Sequence, residues 1–401
     1  MTDYSIRLIR DDDELARVSR EQWNGLLDRS IAPQPFLTHA WLTAWWRHLG
    51  RGSHLHAITV WLGNQLVCVF PLMITRRGPF SILEFIGTGR SDYLDALIDK
   101  DHQAAAEVAF DYLWSTRTEW SVAVLYDVLN SNRAEWWRDR FRQKGAVAQM
   151  IVRTAAPYKE LPDSWEQYLH AASRNFRRDL KRKEDRLRQE GDLSVVSITQ
   201  PQDILAVLPE LFAVDAESWK AEAGSARFAG EDVRMFFRTA LLSMSENGQV
   251  EIWLARLDGS AIAFNLTILY GTKIYFYNGT YASSSGRHSP GFVLTGKMFR
   301  DACGRGLTEI DFLRGEEVYK QRWTEEKRDC YQIVAGRKTP ASLLYRALMI
   351  YPRWYLKRFP WALKWKLAVE RWRSKLLNRK EPKPMNPAER AEESADGTGV
   401  M

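Results

Sequence analysis

Two stretches of this chain repeat one another in order and length, and that repeat limits what the chain can fold into. LHAITVWLGNQLVCVFPL, from Leu55, and VEIWLARLDGSAIAFNLTI, from Val250, each read as two apolar strands joined by a tight turn, Gly63-Asn64 and Asp258-Gly259. Helices are expected before each hairpin; after it come another strand, a glycine-containing loop, a helix and a strand. This order predicts an internally duplicated α/β (α+β) unit, with mixed sheets flanked by helices. A length of 401 residues suits two such fused domains, with a site between them or in one only.

The remaining periodicities fill in the two halves. A strand is expected over 4–10, a helix over 12–30, and a Trp-rich helix from the Thr38 cap to Gly50. The run from Leu66 continues through Ile74 as one strand, with a short strand at 83–86, the segment 92–98 following Gly87 and Gly89, a helix over 102–117 and a strand over 121–126. The second half is expected to begin near Pro157, with a long basic helix from Asp163 or Ser164 through Leu187. Helices over 203–220 and 231–245 follow, then strands over 250–279, a helix from Ser289 to about Arg305 and a strand over 307–313. The resulting division is 1–156, 157–338, a basic aromatic helical extension over 339–380, and a Pro-, Glu- and Ala-rich disordered tail over 381–401.

Several chemistries are disfavoured by counting. The three cysteines, Cys68, Cys303 and Cys330, are odd in number and widely spaced, which excludes a disulfide framework or a CxxC metal pair. The seven histidines show no HxxxH or HExxH spacing, so no metal is expected. The first residues, MTDYSIRLIRDDDEL, lack the apolar core of a signal peptide, and no apolar run is long enough to span a bilayer, so a cytoplasmic location is expected.

Chemistry concentrates between Tyr277 and Trp323. Ser289-Pro290-Gly291 opens a helix with a capping hydroxyl and a proline at the first position. Such an opening is either plain capping or a phosphate site, with Arg287 and His288 adding cationic or donor groups beside it. Immediately upstream lies the strand Lys273–Asn278. If its partner over 307–313 splays away, the freed backbone can bind an extended pantetheine arm as an added strand; otherwise the two are ordinary paired strands. At the end of the second strand, Asp311 can orient or deprotonate an amine, Tyr319 can protonate a leaving thiolate, and Lys320 or Arg314 can hold an anionic group. The alternative is a solvated turn.

SPGFVL followed by GLTEIDFLRGEEVYKQRW resembles the BioF2-like branch of the GNAT acetyltransferase superfamily, also labelled CelD/BcsL and similar in architecture to the FemABX aminoacyl transferases. The likeness extends to SRNFRRDLKRKEDRL and to the DAESWK box at Asp215–Lys220, covers about 150–335 well, and reaches the first half in pattern only. It implies tandem GNAT-like domains and transfer of an acyl group, acetyl in the simplest case, from acyl-CoA to an amino group of a saccharide, envelope or exopolysaccharide precursor. The set it implies is Asp311, Tyr319 and Lys320 for catalysis and Arg287, His288, Ser289, Pro290 and Gly291 for the acyl-CoA co-substrate. Arg174, Trp219, Lys220, Asn278, Tyr281, Arg314 and Trp323 are implied for the acceptor. The usual phosphate loop, Q/R-x-x-G-x-G/A, is here Arg287 to Phe292, which keeps the first Arg and one glycine and lacks the second small residue. Two rivals therefore stand: a FemABX-like transfer from aminoacyl-tRNA, the one case in which nucleic acid is an expected partner, and a non-catalytic subunit of a polysaccharide-synthesis assembly.

The net charge of +7 is concentrated in two places. Arg174, Arg177, Arg178, Lys181, Arg182, Lys183, Arg186 and Arg188 form either a solvated face with pairs such as Lys181–Asp185, or a surface for phosphorylated substrate, tRNA or anionic lipid. Residues 341–380 mix Trp354, Phe359, Trp361, Trp365 and Trp372 with lysines and arginines, which suits either peripheral contact with an anionic membrane or a helical hairpin packed on the body.

Overall fold

The computed structural model describes residues 3–350, Ala223 and the side chains of Trp219, Met349 and Ile350 excepted. Residues 3–342 belong to one compact unit, and a second begins at Leu343. The membrane-contact segment beyond 350 and the expected tail over 381–401 lie outside the described residues.

The first half runs β1 (Tyr4–Ile9), α1 (Asp12–Ala16), α2 (Arg20–Arg29), α3 (His39–Leu49), β2 (Ser53–Leu55), β3 (Ala57–Leu62), β4 (Gln65–Phe70), β5 (Leu72–Arg77), β6 (Phe80–Phe85), β7 (Leu97–Ile98), α4 (Ala104–Ser115), β8 (Val122–Leu129) and α5 (Ser131–Gln143). The expected helix over 12–30 is two helices. Ser19 and Gln22 form a reciprocal capping box that starts α2 afresh. The expected strand from Leu66 is likewise divided at Pro71, whose missing N–H ends the ladder. β4 stays in a sheet ordered β1-β3-β4-β7, while β5 joins a second, larger sheet.

β9 (Val147–Glu160) then leads into α6 (Trp165–Ala171), α7 (Arg174–Glu190), β10 (Leu193–Ile198), α8 (Pro201–Ala216), α9 (Trp219–Glu222), α10 (Glu231–Ser245), β11 (Val250–Leu257), β12 (Ser260–Tyr270), β13 (Lys273–Tyr281), α11 (Pro290–Gly304), β14 (Glu309–Asp311) and β15 (Lys327–Gly336). The single basic helix expected from 163 breaks at Ala172. Ser173 caps α7, and Arg177 Nη1 donates to the carbonyls of Leu169 and Ala172 at 2.7 and 2.8 Å, satisfying the end of α6. Pro157, the expected start of the second half, lies inside β9. That strand bonds β15 over 147–157 and β14 over 158–160.

Among the described residues the larger sheet has eleven strands, ordered β10-β11-β12-β13-β14-β9-β15-β8-β6-β5-β2. Each half contributes one strand–helix–strand crossover with parallel strands, β6-α4-β8 and β13-α11-β14. Both parallel pairs are short: two residue pairs join β6 to β8 and three join β13 to β14. The duplication seen in the hairpins thus extends to the topology.

Two cores flank the second half of the sheet. Phe276, Leu294, Met298, Phe299 and Trp323 form the smaller one, where α6, α7 and α11 pack. Tyr277, one residue on, points into the larger core with Trp41, Phe236 and Phe237 from α3 and α10. Removing this much apolar surface from water is the main stabilising term, roughly 25 cal/mol per Å².

Candidate active site

β13 and β14 separate early. Their pairing covers Lys273–Tyr275 against Glu309–Asp311, after which Phe312 N–H turns to Pro157 O at 2.8 Å and Leu313 adopts a φ of 60°. β13 continues to Tyr281, and its far end is met again only by an antiparallel bridge between Ser218 and Ala282. Between these points no strand pairs with that edge among the described residues. β13 also carries a bulge at Tyr277, since Leu266 pairs with Asn278 and Thr267 with Phe276. The splay expected as one of two readings is therefore present, and bulges commonly re-aim side chains beside sites.

A cavity of about 210 Å³ opens at this gap, lined by Phe276, Gly279, Thr280 and Tyr281 of β13, Ser289, Gly291, Phe292 and Thr295 of α11, and Lys183, Asn265, Tyr319, Arg322 and Trp323. Thr280 Oγ1 is buried with no hydrogen-bond partner. Pro290 has no N–H and Phe292 N–H bonds back to Ser289 O at 3.0 Å, which leaves the Gly291 amide without an intrahelical partner. An added Cβ on Gly291 would lie 3.3 Å from Tyr281 Cδ1, so glycine lets the ring and the helix start approach each other.

Ser289 is not the side-chain cap that the sequence suggests. It sits in the left-handed region (φ 55°, ψ 50°) and makes no capping hydrogen bond. Its Oγ instead accepts from Lys183 Nζ at 2.9 Å. Burial, then the neighbouring Arg322, lowers the Lys183 pKa. Lys183 and Arg322 lie 5.1 and 4.0 Å from the centroid of the Phe292 ring, and Arg322 is anchored to Asp179 at 2.9 Å. Two cations and a helix start thus face one cavity mouth, a site suited to phosphate.

The expected residues separate into two groups. Ser289, Gly291, Tyr281, Tyr319 and Trp323 line the cavity, with Pro290 buried in the first turn of α11. Burial raises the Tyr319 pKa and keeps its phenol protonated. Asp311, Lys320 and Arg314 lie outside the lining. The Asp311 carboxylate is fully buried, accepting from Tyr93 Oη and Leu313 N–H at 2.8 Å each, with Arg328 beside it. Burial raises its pKa to about 6, against the lowering effect of those donors. Lys320 Nζ donates to the carbonyls of Leu313, Arg314 and Gly315 and pairs with Glu317 at 2.9 Å. Arg314 joins Asp92 at 2.8 Å and Asp127 at 2.5 Å in the first half. All three hold the loop that delivers Tyr319.

Arg287 and His288 sit against Glu190 at 3.2 and 3.5 Å, away from the lining. Arg174 lies on the outer face of α7 with Arg178, Lys181 and Arg186. The pairs formed on that helix are Asp179–Arg182 and Glu184–Arg188, in place of Lys181–Asp185. The Trp219 side chain is outside the described residues. Lys220 Nζ meets β13, donating to Asn278 Oδ1 at 2.9 Å and Gly279 O at 2.8 Å. Lys183 was legible as an inward residue, because it shares the spacing of Phe176, Leu180 and Leu187. Among the described residues no group of three His, Cys, Asp or Glu could hold a metal, and no helix is long and apolar enough to cross a membrane.

Comparison with known proteins bears on this geometry. Residues 174–321 match the family model described as an acetyltransferase (GNAT) domain, a span that includes α7, α11, β13, β14 and Tyr319. No curated protein is matched. The crystal structure of FemX superposes with a TM-score of 0.59 at 12% identity, covering 82% of this chain and 98% of that one. The C-terminal domain of a putative lysylphosphatidylglycerol synthetase from Agrobacterium fabrum gives 0.52 at 12% identity, covering 82% and 94%. L-PGS from Bacillus licheniformis gives 0.50 at 12% identity, covering 82% and 96%. The fold is thus a mixed α/β arrangement of two like halves, shared with these proteins, and residues 174–321 carry the GNAT acetyltransferase match.

Proposed function

We propose that the protein is an N-acyltransferase that takes an acyl group from acyl-CoA to an amino group of a saccharide or envelope precursor. One observation carries this: β13 and β14 part beside the start of α11, where Lys183 and Arg322 stand. In this reading the phosphates of the donor meet the Gly291 amide, Lys183 and Arg322. The pantetheine arm runs along the open edge of β13 as an added strand, and the acyl carbonyl lies in the gap between Tyr275 and Ala282.

The acceptor nitrogen attacks the thioester carbonyl and forms the C–N bond. The oxyanion is met by backbone N–H groups of β13, which cost no reorganisation. The C–S bond then breaks and Tyr319 Oη gives its proton to the departing sulfur, while the proton shed by nitrogen passes to water, from which the phenol is reprotonated. Burial holds the phenol in the protonated form that donation needs, and makes it a weaker acid.

The second reading, aminoacyl-tRNA as donor, is favoured by the outer cations of α7 and by the shared fold with FemX. Calorimetry with acetyl-CoA and longer acyl-CoAs decides. Binding that is lost in a Lys183→Met, Arg322→Gln double variant supports the acyl-CoA reading. No binding of any acyl-CoA, with steeply salt-dependent binding of aminoacyl-tRNA, would replace it with the second. Binding of neither donor would leave the non-catalytic subunit.

A further inference from the structure

The face of β13 away from α11 holds a cluster of cations that the acyl-donor site does not use. Arg227 lies 4.5 Å over the Tyr277 ring, whose hydroxyl donates to Arg90 O at 2.7 Å. Arg90 Nη1 in turn donates to Arg227 O at 3.1 Å. Lys220 joins them through Asn278 and Gly279. These cations come from both halves: Arg90 follows the Gly87–Gly89 loop, while Lys220 lies in α9 and Arg227 follows it.

Their counter-charge is incomplete. Asp92 is 3.3 Å from Arg227 but also holds Arg314 at 2.8 Å. Asp215 is buried, accepts from Phe228 N–H at 2.9 Å, and is in no ion pair among the described residues. Neither Arg90 nor Lys220 has a carboxylate within 4.0 Å there. Three further polar atoms are buried without partners: the donors Arg227 Nε and Asn278 Nδ2, and the acceptor Asp215 Oδ1. Burial and then Arg227 push the Lys220 pKa down to about 8, and burial likewise lowers that of Arg90. Like charges gathered in a partly buried cluster are costly, and a bound anion relieves that cost.

The cluster adjoins the gap in the sheet. Lys220 Nζ touches the carbonyl of Gly279, a residue that also lines the donor cavity. We propose that this cluster anchors the acceptor, and that the acceptor bears an oxyanion group, phosphate or carboxylate, held by Arg90, Lys220 and Arg227. This rests on the acyltransferase reading for the word acceptor, whereas the anion site itself does not.

The test uses the full chain and calorimetry. CoA is titrated first, which reads the donor site alone. Inorganic pyrophosphate and, separately, citrate are then titrated into protein saturated with CoA; if CoA does not bind, they are titrated into the Lys183→Met variant. At least one anion is expected to bind at a single site. Lys220→Met and Arg90→Gln should each weaken it roughly tenfold or more, with Arg322→Gln leaving it unchanged. Pyrophosphate alone indicates a phosphate-bearing acceptor, citrate alone a carboxylate, and both a general oxyanion site. Absence of binding by both anions, or binding that neither substitution weakens, overturns the proposal. Circular dichroism melting identifies any variant that has not folded.

Discussion

Lys183 Nζ and Ser289 Oγ meet at 2.9 Å across the contact between α7 and α11, so the serine at the start of α11 serves the neighbouring helix and not its own. A non-glycine residue in the left-handed region costs about 1–2 kcal/mol. Ser289→Gly should therefore leave the fold unchanged or more stable, by up to about 1 kcal/mol in denaturant unfolding. The same substitution frees Lys183 and should change acyl-CoA affinity. A loss of stability above that scale would show that the Lys183–Ser289 bond outweighs the backbone strain.

Tyr319→Phe removes one oxygen from the cavity wall. If the phenol protonates the leaving thiolate, kcat should fall by roughly a hundredfold or more while acyl-CoA binding by calorimetry is unchanged. Equal falls in binding and turnover would point to packing instead.

Gly296 sets the approach of α11 to α7: a Cβ there would stand 2.8 Å from Leu180 Cδ1. Gly296→Ala should destabilise the protein by about 1–3 kcal/mol through overpacking. Leu180→Ala in the same chain should recover part of that loss, which a thermal melt of the three variants reads directly.

Anion binding at the Arg90, Lys220 and Arg227 cluster should depend on pH through Lys220. Its folded pKa, about 8, lies below its ordinary 10.5. Charged Lys220 is thus present below pH 8 and is lost as pH rises through that value, so anion affinity should fall across pH 7–9. For stability the sign is opposite: the unfolded chain holds the proton up to its ordinary pKa, so this group adds stability as pH rises from about 8 to about 10.5. Arg227, Asp215, Glu317 and Lys320 surround the amine, and Lys220→Met should flatten the affinity profile.

Much of the second half was legible because its cues are local. The alternation of 250–279, the glycine turns and the proline after Ser289 all act within a few residues. What escaped depends on distant partners. β9 has no clean alternation, because one end pairs with β15 and the other with β14, and each stretch answers to a different environment. Asp311 and Lys320 read as reactive from their chemistry, but Tyr93 and the carbonyls around Gly315 occupy them. Sequence spacing reveals that a charged group is near a turn; it does not reveal which buried donor, over two hundred residues away, has already claimed it.

β15 lies between β9 and β8, and β8 ends at Leu129 while β15 begins at Lys327. During synthesis the first half therefore emerges with one edge of β8 bare, and it stays so while nearly all of the second half is made. Long-range strand pairing of this kind slows folding and leaves unpaired edges open to intermolecular association. The order of translation thus makes the last strand of the sheet the one that closes the first half. A ribosome stalled before residue 327 would hold a nascent chain that can mispair, and a chaperone that shields β8 would be expected to act in that interval.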